Sequence, residues 1–561
     1  MRYHQGQIQN HPESGQRKGG IPLQKNEIFP MRAENLGADM EGVCRHEGMA
    51  VFVPGLLPGE ATDVRIVRTE KRYAFGRMER PPAVPSPDRR EPDCAVYPRC
   101  GGCSCRHIRY EATLEAKRRQ VADCFRRIGG LEPEVLPALG MDDPRAYRNK
   151  TSLPVSGTAE NPVLGFYAPR SHTVIPVSAC PNAMPPADEI AARFLAWMRR
   201  FRLEPYREDT FRGLIRHLVI RVSRGGECMV TVVVNGTSLP HADALAEALR
   251  PLNVVSLWVN LNTARNNVIL SDRFHLIYGK ETLPDTLCGL RFELSPGAFF
   301  QVNPFQTEKL YETALDFAEL SPSDALCDVY CGAGTITLMM ARHCRSAVGI
   351  EVVPAAVENA KRNALRNGVG NADFFAGRAE DLLPRMVRDG LRSDVIVVDP
   401  PRKGLEPEVI RAIAEAGPKR VVYVSCNVAT QARDAALFRE AGYLARKVQP
   451  VDMFCWTSGI ETVLLMSQQK PDDTIHVGID LKPEDVTVAE SKATYAELQA
   501  YIEEKYGFKV SNLYIAQAKA ALGIKERENY NKPKSPNSKK LVCPPDKMAA
   551  IQEALRHFKM I

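Results

Sequence analysis

Short β-branched runs alternate with stretches of helical periodicity in the second half of the chain. The clearest apolar runs are Ala325–Tyr330, Ala347–Ile350, Val395–Val398 and Val421–Val424. A helical pattern, Ile336–Ala341, follows the first of these runs, and the alternation continues to about residue 466. Strands that alternate with helices predict a doubly wound, mostly parallel sheet, here over residues 296–470.

Different patterns occupy the rest of the chain and predict a multidomain α/β protein. Residues 23–81 contain short alternating runs, such as Ala50–Val53 and Ala61–Val67, broken by Pro-Gly turns, and predict a small β-barrel. Residues 82–295 mix strand and helix patterns and predict a central α/β domain. Residues 1–22 are polar and lack periodicity, which predicts a disordered tail.

The last part of the chain, residues 471–561, predicts a small, mostly helical add-on. Its helical patterns are Thr494–Tyr506, Val510–Leu522 and Lys547–Phe558, and a basic, Pro-rich segment, NYNKPKSPNSKK, joins the last two. This pattern is equally compatible with a binding role toward RNA or protein and with a purely structural role.

Reactive and polar side chains follow the predicted strands where each strand ends. Asp399 comes directly after one buried run, and Cys426 follows the next run along the chain. Because ligands bind outside the carboxyl ends of strands in an open α/β sheet, we expect both side chains to face one crevice. Upstream, the glycine turn CGAGT follows a strand, and Glu351 ends the next one, where a carboxylate suits ribose hydroxyls. Together these features indicate a site for an adenosyl cofactor.

The segments around these residues resemble a known enzyme family. VYCGAGTITL, GIEVVPAAVENAKRNALRNG, VVDPPRKG, VVYVSCN, VDMFCWTSGIETV and SPGAFFQVNPFQTEKLY closely resemble the RNA (uracil-5-)-methyltransferases that use S-adenosylmethionine. The resemblance covers about residues 23–469. It implies a class I, Rossmann-like methyltransferase domain, and an N-terminal OB-like barrel of the TRAM type that binds RNA.

The resemblance also implies roles for individual residues. Cys426 matches the nucleophile that adds to uracil C6, and Glu461 matches the base that removes the C5 proton. The positions that match cofactor-binding residues are Gln301, Tyr330, Glu351 and Asp399. The chain departs from the usual pattern at Val428, Cys455 and Gly459, all close to the nucleophile or the base in sequence. Cys455 would place a second, oxidation-prone thiol near the site.

A group of cysteines before the methyltransferase pattern predicts a metal centre. Cys94, Cys100 and Cys103 are closely spaced, and their spacing leaves zinc and an iron–sulfur cluster equally open. The resemblance supplies Cys180 as the fourth ligand and implies a 4Fe–4S cluster, as in the 23S rRNA branch of the family and unlike the tRNA branch. Cys105 is near enough in sequence to compete, and we expect it not to be a ligand.

Composition and charge restrict the cellular setting and the partner. A length of 561 residues, with 44% hydrophobic and 25% charged residues, is typical of a multidomain globular protein. No apolar run is long enough to span a membrane, no secretory signal is evident, and 15 scattered cysteines favour a reducing compartment. We therefore expect a cytoplasmic protein, and a monomer.

The net charge of +7 is concentrated in two segments. Residues 65–127 contain 16 Lys and Arg against 8 Asp and Glu, and residues 505–561 contain 12 against 4. Two basic segments in an otherwise balanced chain favour a polyanionic partner, and 23S rRNA is the RNA that the resemblance implies.

Three other kinds of protein share part of the pattern expected of an rRNA uracil-5-methyltransferase. An NAD-dependent dehydrogenase would use the glycine turn and Glu351 but would leave DPPRKG and Cys426 without a role. A non-catalytic RNA-binding iron–sulfur protein would have no need for Cys426, Glu461 and Asp399 together. A tRNA uracil-5-methyltransferase is the third alternative, and the cysteine group argues against it.

Overall fold

The computed structural model describes residues 23–469, 495–522 and 543–558. The chain divides into two compact units, residues 1–470 and 471–561. The predicted disordered tail, residues 1–22, and the basic, Pro-rich segment both lie outside the described residues. Within the described ranges, no helix combines the length and the apolar character needed to cross a bilayer.

The first unit begins with a six-stranded sheet. Its strands are β1 (Ile28–Arg32), β2 (Asn35–Leu36), β3 (Gly42–His46), β4 (Met49–Val53), β5 (Ala61–Thr69) and β6 (Tyr73–Met78). They lie in the order β1-β5-β6-β4-β3-β2. Alternate residues of the strands, including Val51, Val53, Val64 and Ile66, point into one apolar core, as the alternating sequence pattern predicts.

A seven-stranded sheet forms the middle of the unit. Two elements precede it in the chain, α1 (Tyr110–Cys124) and β7 (Glu134–Val135). The sheet and its helices then comprise β8 (Lys150–Gly157), β9 (Pro162–Tyr167), β10 (Val174–Pro176), α2 (Ala187–Arg200), β11 (Ile215–Val222), β12 (Cys228–Val234), α3 (Ala242–Leu249), β13 (Val254–Leu261) and β14 (Phe274–Gly279). The sheet order is β10-β9-β8-β11-β12-β13-β14. Helices α2 and α3 pack on one face, where Phe194 and Leu245 meet Leu218 and Ile220. A hairpin, β15 (Leu283–Leu287) and β16 (Leu290–Leu294), follows.

An eight-stranded sheet, covered by helices on both faces, completes the unit. Its further elements are α4 (Pro304–Ala318), β17 (Ala325–Val329), α5 (Thr335–Ala341), β18 (Ser346–Glu351), α6 (Pro354–Arg366), β19 (Ala372–Ala376), α7 (Ala379–Arg388), β20 (Val395–Val398), α8 (Pro407–Ala416), β21 (Arg420–Ser425), α9 (Val428–Glu440), β22 (Tyr443–Val451) and β23 (Glu461–Gln468). The order is β19-β18-β17-β20-β21-β23-β22-β7. Strands β17 to β21 are parallel, and β23 runs antiparallel to β21. The mostly parallel sheet that the alternation predicts is therefore present.

Part of this sheet comes from a distant stretch of sequence. β7 pairs with β22 in parallel register, Lys447 opposite Glu134. Helix α1, which ends in one π turn over Phe125–Gly129, packs Val121 and Phe125 into the same apolar core as Ala432 of α9. The segment that contains α1 and β7 is thus built into the eight-stranded sheet.

The second unit contains three described helices, α10 (Tyr495–Tyr506), α11 (Asn512–Ala521) and α12 (Pro545–His557). They lie close to the three predicted helical patterns. Leu498, Ile502, Ile515, Ile551 and Leu555 are fully buried and form a common core between the helices.

Candidate active site

Four of the predicted site residues lie at one edge of the eight-stranded sheet because of its topology. Tyr330 follows β17, Asp399 follows β20, and Cys426 follows β21, all at the carboxyl ends of parallel strands. Glu461 begins β23, which is antiparallel to β21 with Thr462 opposite Ser425, so that it lies at the same edge as Cys426. The carboxyl ends of these strands therefore bring Asp399 and Cys426 to one edge of the sheet, as the topology requires.

A cavity of about 870 Å³ opens beside this edge and is lined by all four predicted cofactor residues, Gln301, Tyr330, Glu351 and Asp399. The Glu351 carboxylate accepts backbone hydrogen bonds from Gly332 (3.1 Å) and Val353 (2.8 Å), which fix its position in the cavity wall. Cavities of this size hold ligands as large as a nucleoside cofactor.

The glycine turn shapes one wall of this cavity. Tyr330, Gly332 and Gly334 all have positive φ angles, of 74°, 56° and 80°. A Cβ atom at Gly334 would lie 3.0 Å from Ala360 and Phe374, so this position requires glycine for space as well as for conformation. Tyr330 adopts the left-handed region without being glycine, and such strain is typical of functional sites.

Two carboxyl groups lie close together here: Asp399 lines the cavity and is half-buried, and Asp328 is buried. Burial first, and then the charge of Asp328, raise the pKa of Asp399 from 3.8 to about 7. Burial likewise raises the pKa of Asp328 to about 7, although Thr337 donates a hydrogen bond to it at 2.5 Å. The other Asp328 oxygen has no hydrogen-bond partner. A positively charged group bound beside Asp399 would favour its ionised form, and the sulfonium of S-adenosylmethionine is such a group.

Cys426 and Glu461 form a second cluster with Asp399. Burial raises the pKa of the Cys426 thiol, the Glu461 carboxyl raises it further, and the guanidinium of Arg402 lowers it. Glu461 is only 5% exposed, and burial followed by the charge of Asp399 raises its pKa well above the usual value. A carboxylate with a raised pKa is a stronger base, which suits removal of a proton from carbon.

Arg402 is a site residue that the sequence analysis did not single out. It directly follows Asp399-Pro-Pro in the DPPRKG segment, in which only Asp399 was predicted to have a role in the site. Burial raises the pKa of both Cys426 and Glu461, and the positive charge of Arg402 lowers both. A cation immediately after a strand-end carboxylate was the available signal.

The three departures from the family pattern have separate structural settings. Val428 is buried in the first turn of α9, where the Asn427 side chain caps the helix by accepting from Ala429 and Thr430. Cys455 is fully buried, hydrogen-bonded to Tyr110, and its pKa is raised by burial. A protonated, inaccessible thiol reacts slowly, so the expectation of an oxidation-prone cysteine is wrong. At Gly459 a Cβ atom would lie 3.1 Å from the Phe454 ring, so the loop there is tightly packed.

The four predicted metal ligands surround a second cavity, of about 520 Å³. Its wall includes Cys94, Cys100, Cys103 and Cys180, together with Arg106, Arg148 and Lys150. The Cys103 sulfur accepts hydrogen bonds from Asn182 (3.4 Å) and Arg106 (3.8 Å). Cys105 does not line this cavity, because its thiol is buried and points to the Thr457 carbonyl.

The thiols in this cavity do not converge on one point. Across the described ranges, no group of three or more His, Cys, Asp or Glu side chains is arranged closely enough to hold a metal ion. The shared space, the hydrogen-bond donors to sulfur and the surrounding cations suit thiolates, but the described residues do not show the convergence of sulfur atoms that a bound cluster requires.

Aromatic rings that are at least partly exposed occur at two places that RNA could reach. On the six-stranded sheet, Phe52, Tyr73 and Phe75 form a group with ring centroids 5.6–5.9 Å apart, and Arg68 lies over the Phe75 ring. At the wall of the 870 Å³ cavity, Phe299 is 80% exposed. Accessible ring faces, with cations nearby as at Phe75, are typical of surfaces that stack on unpaired bases.

Comparison with known proteins agrees with this architecture. The model of the tRNA (uracil-5-)-methyltransferase family matches residues 109–469, and that of the TRAM domain matches residues 24–78. An uncharacterized RNA methyltransferase of Clostridium tetani is 39% identical over 453 residues, which cover 80% of this chain and 98% of that protein. One from Halalkalibacterium halodurans is 40% identical, with coverages of 80% and 99%.

A solved structure is similar over most of the first unit. It is the Pyrococcus abyssi tRNA (uracil-54, C5)-methyltransferase in complex with S-adenosyl-L-homocysteine. The match has a TM-score of 0.63 and 25% sequence identity, and covers 78% of this chain and 99% of that one. The family model ends at residue 469, so the second unit lies outside the family match.

Proposed function

The chain belongs to the tRNA (uracil-5-)-methyltransferase family and is an S-adenosylmethionine-dependent RNA methyltransferase, and from this premise we propose that it methylates C5 of a uridine in 23S rRNA. One observation carries the proposal. A thiol and a carboxyl, Cys426 and Glu461, lie at the sheet edge where Asp399 borders a cavity of nucleoside size.

The chemistry needs a nucleophile because uracil C5 alone attacks carbon slowly. Cys426 reacts as the thiolate after its proton passes to solvent, its sulfur bonds to C6, and electron density moves to C5. When bound, S-adenosylmethionine would supply the electrophilic methyl group, whose bond to the sulfonium sulfur breaks as its bond to C5 forms, which leaves S-adenosylhomocysteine. Glu461 then removes the C5 proton, and the bond between sulfur and C6 breaks as the double bond returns.

The surrounding residues prepare these steps. Arg402 favours the thiolate of Cys426 and the ionised form of Glu461, both of which burial opposes. Gln301 and Tyr330 line the same cavity as Glu351, which would accept hydrogen bonds from ribose hydroxyls. Phe299 offers an exposed face on which the target base would stack.

The assignment to 23S rRNA depends on the cysteine cavity. Cys94, Cys100, Cys103 and Cys180 would hold a 4Fe–4S cluster, whose thiolate ligation would tie residues 94–103 to the central sheet. The resemblance connects this ligand set with the rRNA branch. Mapping 5-methyluridine in rRNA and tRNA from cells with and without the protein tests the RNA directly, and loss from tRNA alone would contradict the rRNA assignment.

The aromatic group on the six-stranded sheet and the second unit would both contribute to RNA binding. The described part of the second unit is balanced in charge, with 5 Lys and Arg against 5 Asp and Glu. Between its helices, residues 523–542 contain 6 Lys and Arg against 2 Asp and Glu. We assign the phosphate-binding contribution of this unit to residues 523–542 rather than to the helical core.

Two substitutions test the chemistry. Cys426→Ala should lower the single-turnover rate to below about a tenth of wild type while S-adenosylmethionine binding is retained, because the thiol acts on the base. Cys124→Ala removes another half-buried thiol and should leave the rate unchanged. Glu461→Gln should accumulate a covalent RNA–protein adduct, visible as a slow band on a denaturing gel. Full activity of Cys426→Ala would refute the assignment of Cys426 as the nucleophile.

A further inference from the structure

The loop that precedes Glu461 is held by a buried cation from far away in the sequence. Val451, the last residue of β22, pairs with Glu461, the first residue of β23. Residues 452–460, called here the 452–460 loop, therefore connect two paired positions and end directly before Glu461. Lys117 of α1 reaches into this loop, and neither the Lys117 nor the Asp452 side chain is exposed to solvent.

The Lys117 ammonium makes contacts at both ends of the 452–460 loop. It forms an ion pair with the Asp452 carboxylate and donates to the Gly459 carbonyl at 2.7 Å. It also lies 3.4 Å from the Phe454 carbonyl oxygen. An ammonium has three N–H donors, and these three acceptors use all of them. One side chain thus connects the start of the loop to a residue two positions before Glu461.

The other groups around Asp452 complete this arrangement. The Tyr110 hydroxyl, two helical turns earlier on α1 and on the same face as Lys117, donates to the second Asp452 oxygen at 2.7 Å. The Asp452 backbone N–H donates to the Leu139 carbonyl at 2.9 Å. Both oxygens of the Asp452 carboxylate therefore have hydrogen-bond partners, and the Gly459 carbonyl at the far end of the loop accepts from the Lys117 ammonium.

Stability alone does not explain a buried ion pair at this place. Removing two charges from water costs about as much as their attraction returns, and well-packed apolar residues often serve equally well. A lysine at this place also fixes the position of the Gly459 carbonyl, which would lose this donor if the side chain were apolar. The Phe454 carbonyl does not depend on Lys117, because the Thr457 hydroxyl also donates to it at 2.8 Å.

We propose that Lys117 is a positioning residue that acts through the 452–460 loop to hold Glu461 toward the C5 proton. This inference rests on the proposed role of Glu461 as the base. Losing Lys117 would leave S-adenosylmethionine binding and methyl transfer in place, because neither Cys426 nor the cofactor cavity contacts the loop cation. Proton removal would slow, and the enzyme would stay attached to methylated RNA.

The test uses the full-length protein and the variant Lys117→Met/Asp452→Asn, which removes both charges so that no carboxylate is left buried alone. Single-turnover methyl transfer should stay within about threefold of wild type, while release of the covalent adduct slows by at least about tenfold. Lys117→Arg keeps charge and donors and should release RNA at an intermediate rate. Thermal unfolding and S-adenosylmethionine affinity are measured for each variant.

Two controls separate the possible outcomes. Arg216→Met removes another buried cation that donates to loop carbonyls, those of Asn262 and Ala264, and should leave the release rate unchanged. If Glu461→Gln traps no adduct, the proposed function fails. If Glu461→Gln traps the adduct but the Lys117 variants release RNA at the wild-type rate, or lose methyl transfer and release in parallel, the positioning role is overturned.

Discussion

Replacing Asp399 by Asn should make the cofactor-free protein more stable at high pH. The pKa of Asp399 rises from 3.8 to about 7 because burial and the charge of Asp328 disfavour the carboxylate. A difference of about 3 pKa units corresponds to about 4 kcal/mol. Because the side chain borders the cavity and keeps some access to water, we expect about half of this, about 2 kcal/mol.

The pH dependence follows from the direction of this pKa change. Between pH 4 and 7 the unfolded chain loses the Asp399 proton while the folded protein keeps it, so the stability of the folded state falls as pH rises through this window. Asn carries no such proton. The stability difference between Asp399→Asn and wild type should therefore be near zero at pH 4 and should reach its full value above pH 7.

Urea unfolding of both proteins at several pH values, without S-adenosylmethionine, measures this difference. Asp394 lies just before the same strand and provides a control of opposite sign, since the Ala325 backbone N–H and Lys419 lower its pKa. Asp394→Asn should destabilise the protein at pH 7, and this loss should disappear as pH falls through the carboxyl range. A difference for Asp399→Asn that is constant with pH, or negative at pH 8, would refute the reasoning.

Two further changes test the cysteine cavity and the second unit. Protein purified without oxygen should be brown, with about four irons per chain; Cys180→Ser should lose the colour and Cys105→Ser should keep it, whereas colourless protein with stoichiometric zinc would contradict the cluster. Deleting residues 523–542 should raise the RNA dissociation constant and flatten its salt dependence, with the single-turnover rate at saturating RNA unchanged. An unaltered salt slope would assign this segment a role other than RNA binding.

Much of the catalytic sheet could be predicted from local patterns. The run Val395–Val398 is a strand with those bounds, and Asp399 lies beyond its end because parallel strands place their carboxyl ends at one edge. The cavity that contains Gln301, Tyr330 and Glu351 follows from the same rule and from the family resemblance. Such features depend on neighbouring residues and on topology, which the alternation of strands and helices specifies.

What the sequence did not reveal depends on contacts between distant residues. Lys117 and Asp452 are 335 residues apart, and nothing local marks a lysine on a basic helix as buried. The orientation of Cys455 toward Tyr110, away from solvent, has the same origin. Strand β7 has only two residues, too few for any periodicity, and becomes a strand because β22 offers it an edge.

The pairing of β7 with β22 affects how the protein is made. During synthesis, α1 and β7 leave the ribosome more than 300 residues before β22, so their apolar surfaces have no native partner for most of translation. The final sheet closes only when the last strands arrive, and contacts so distant in sequence form slowly. A fragment that begins at residue 296 would leave β22 as an open edge, prone to pairing with other chains, and Asp452 without its cation. Separately expressed halves of the first unit should therefore need each other to stay soluble.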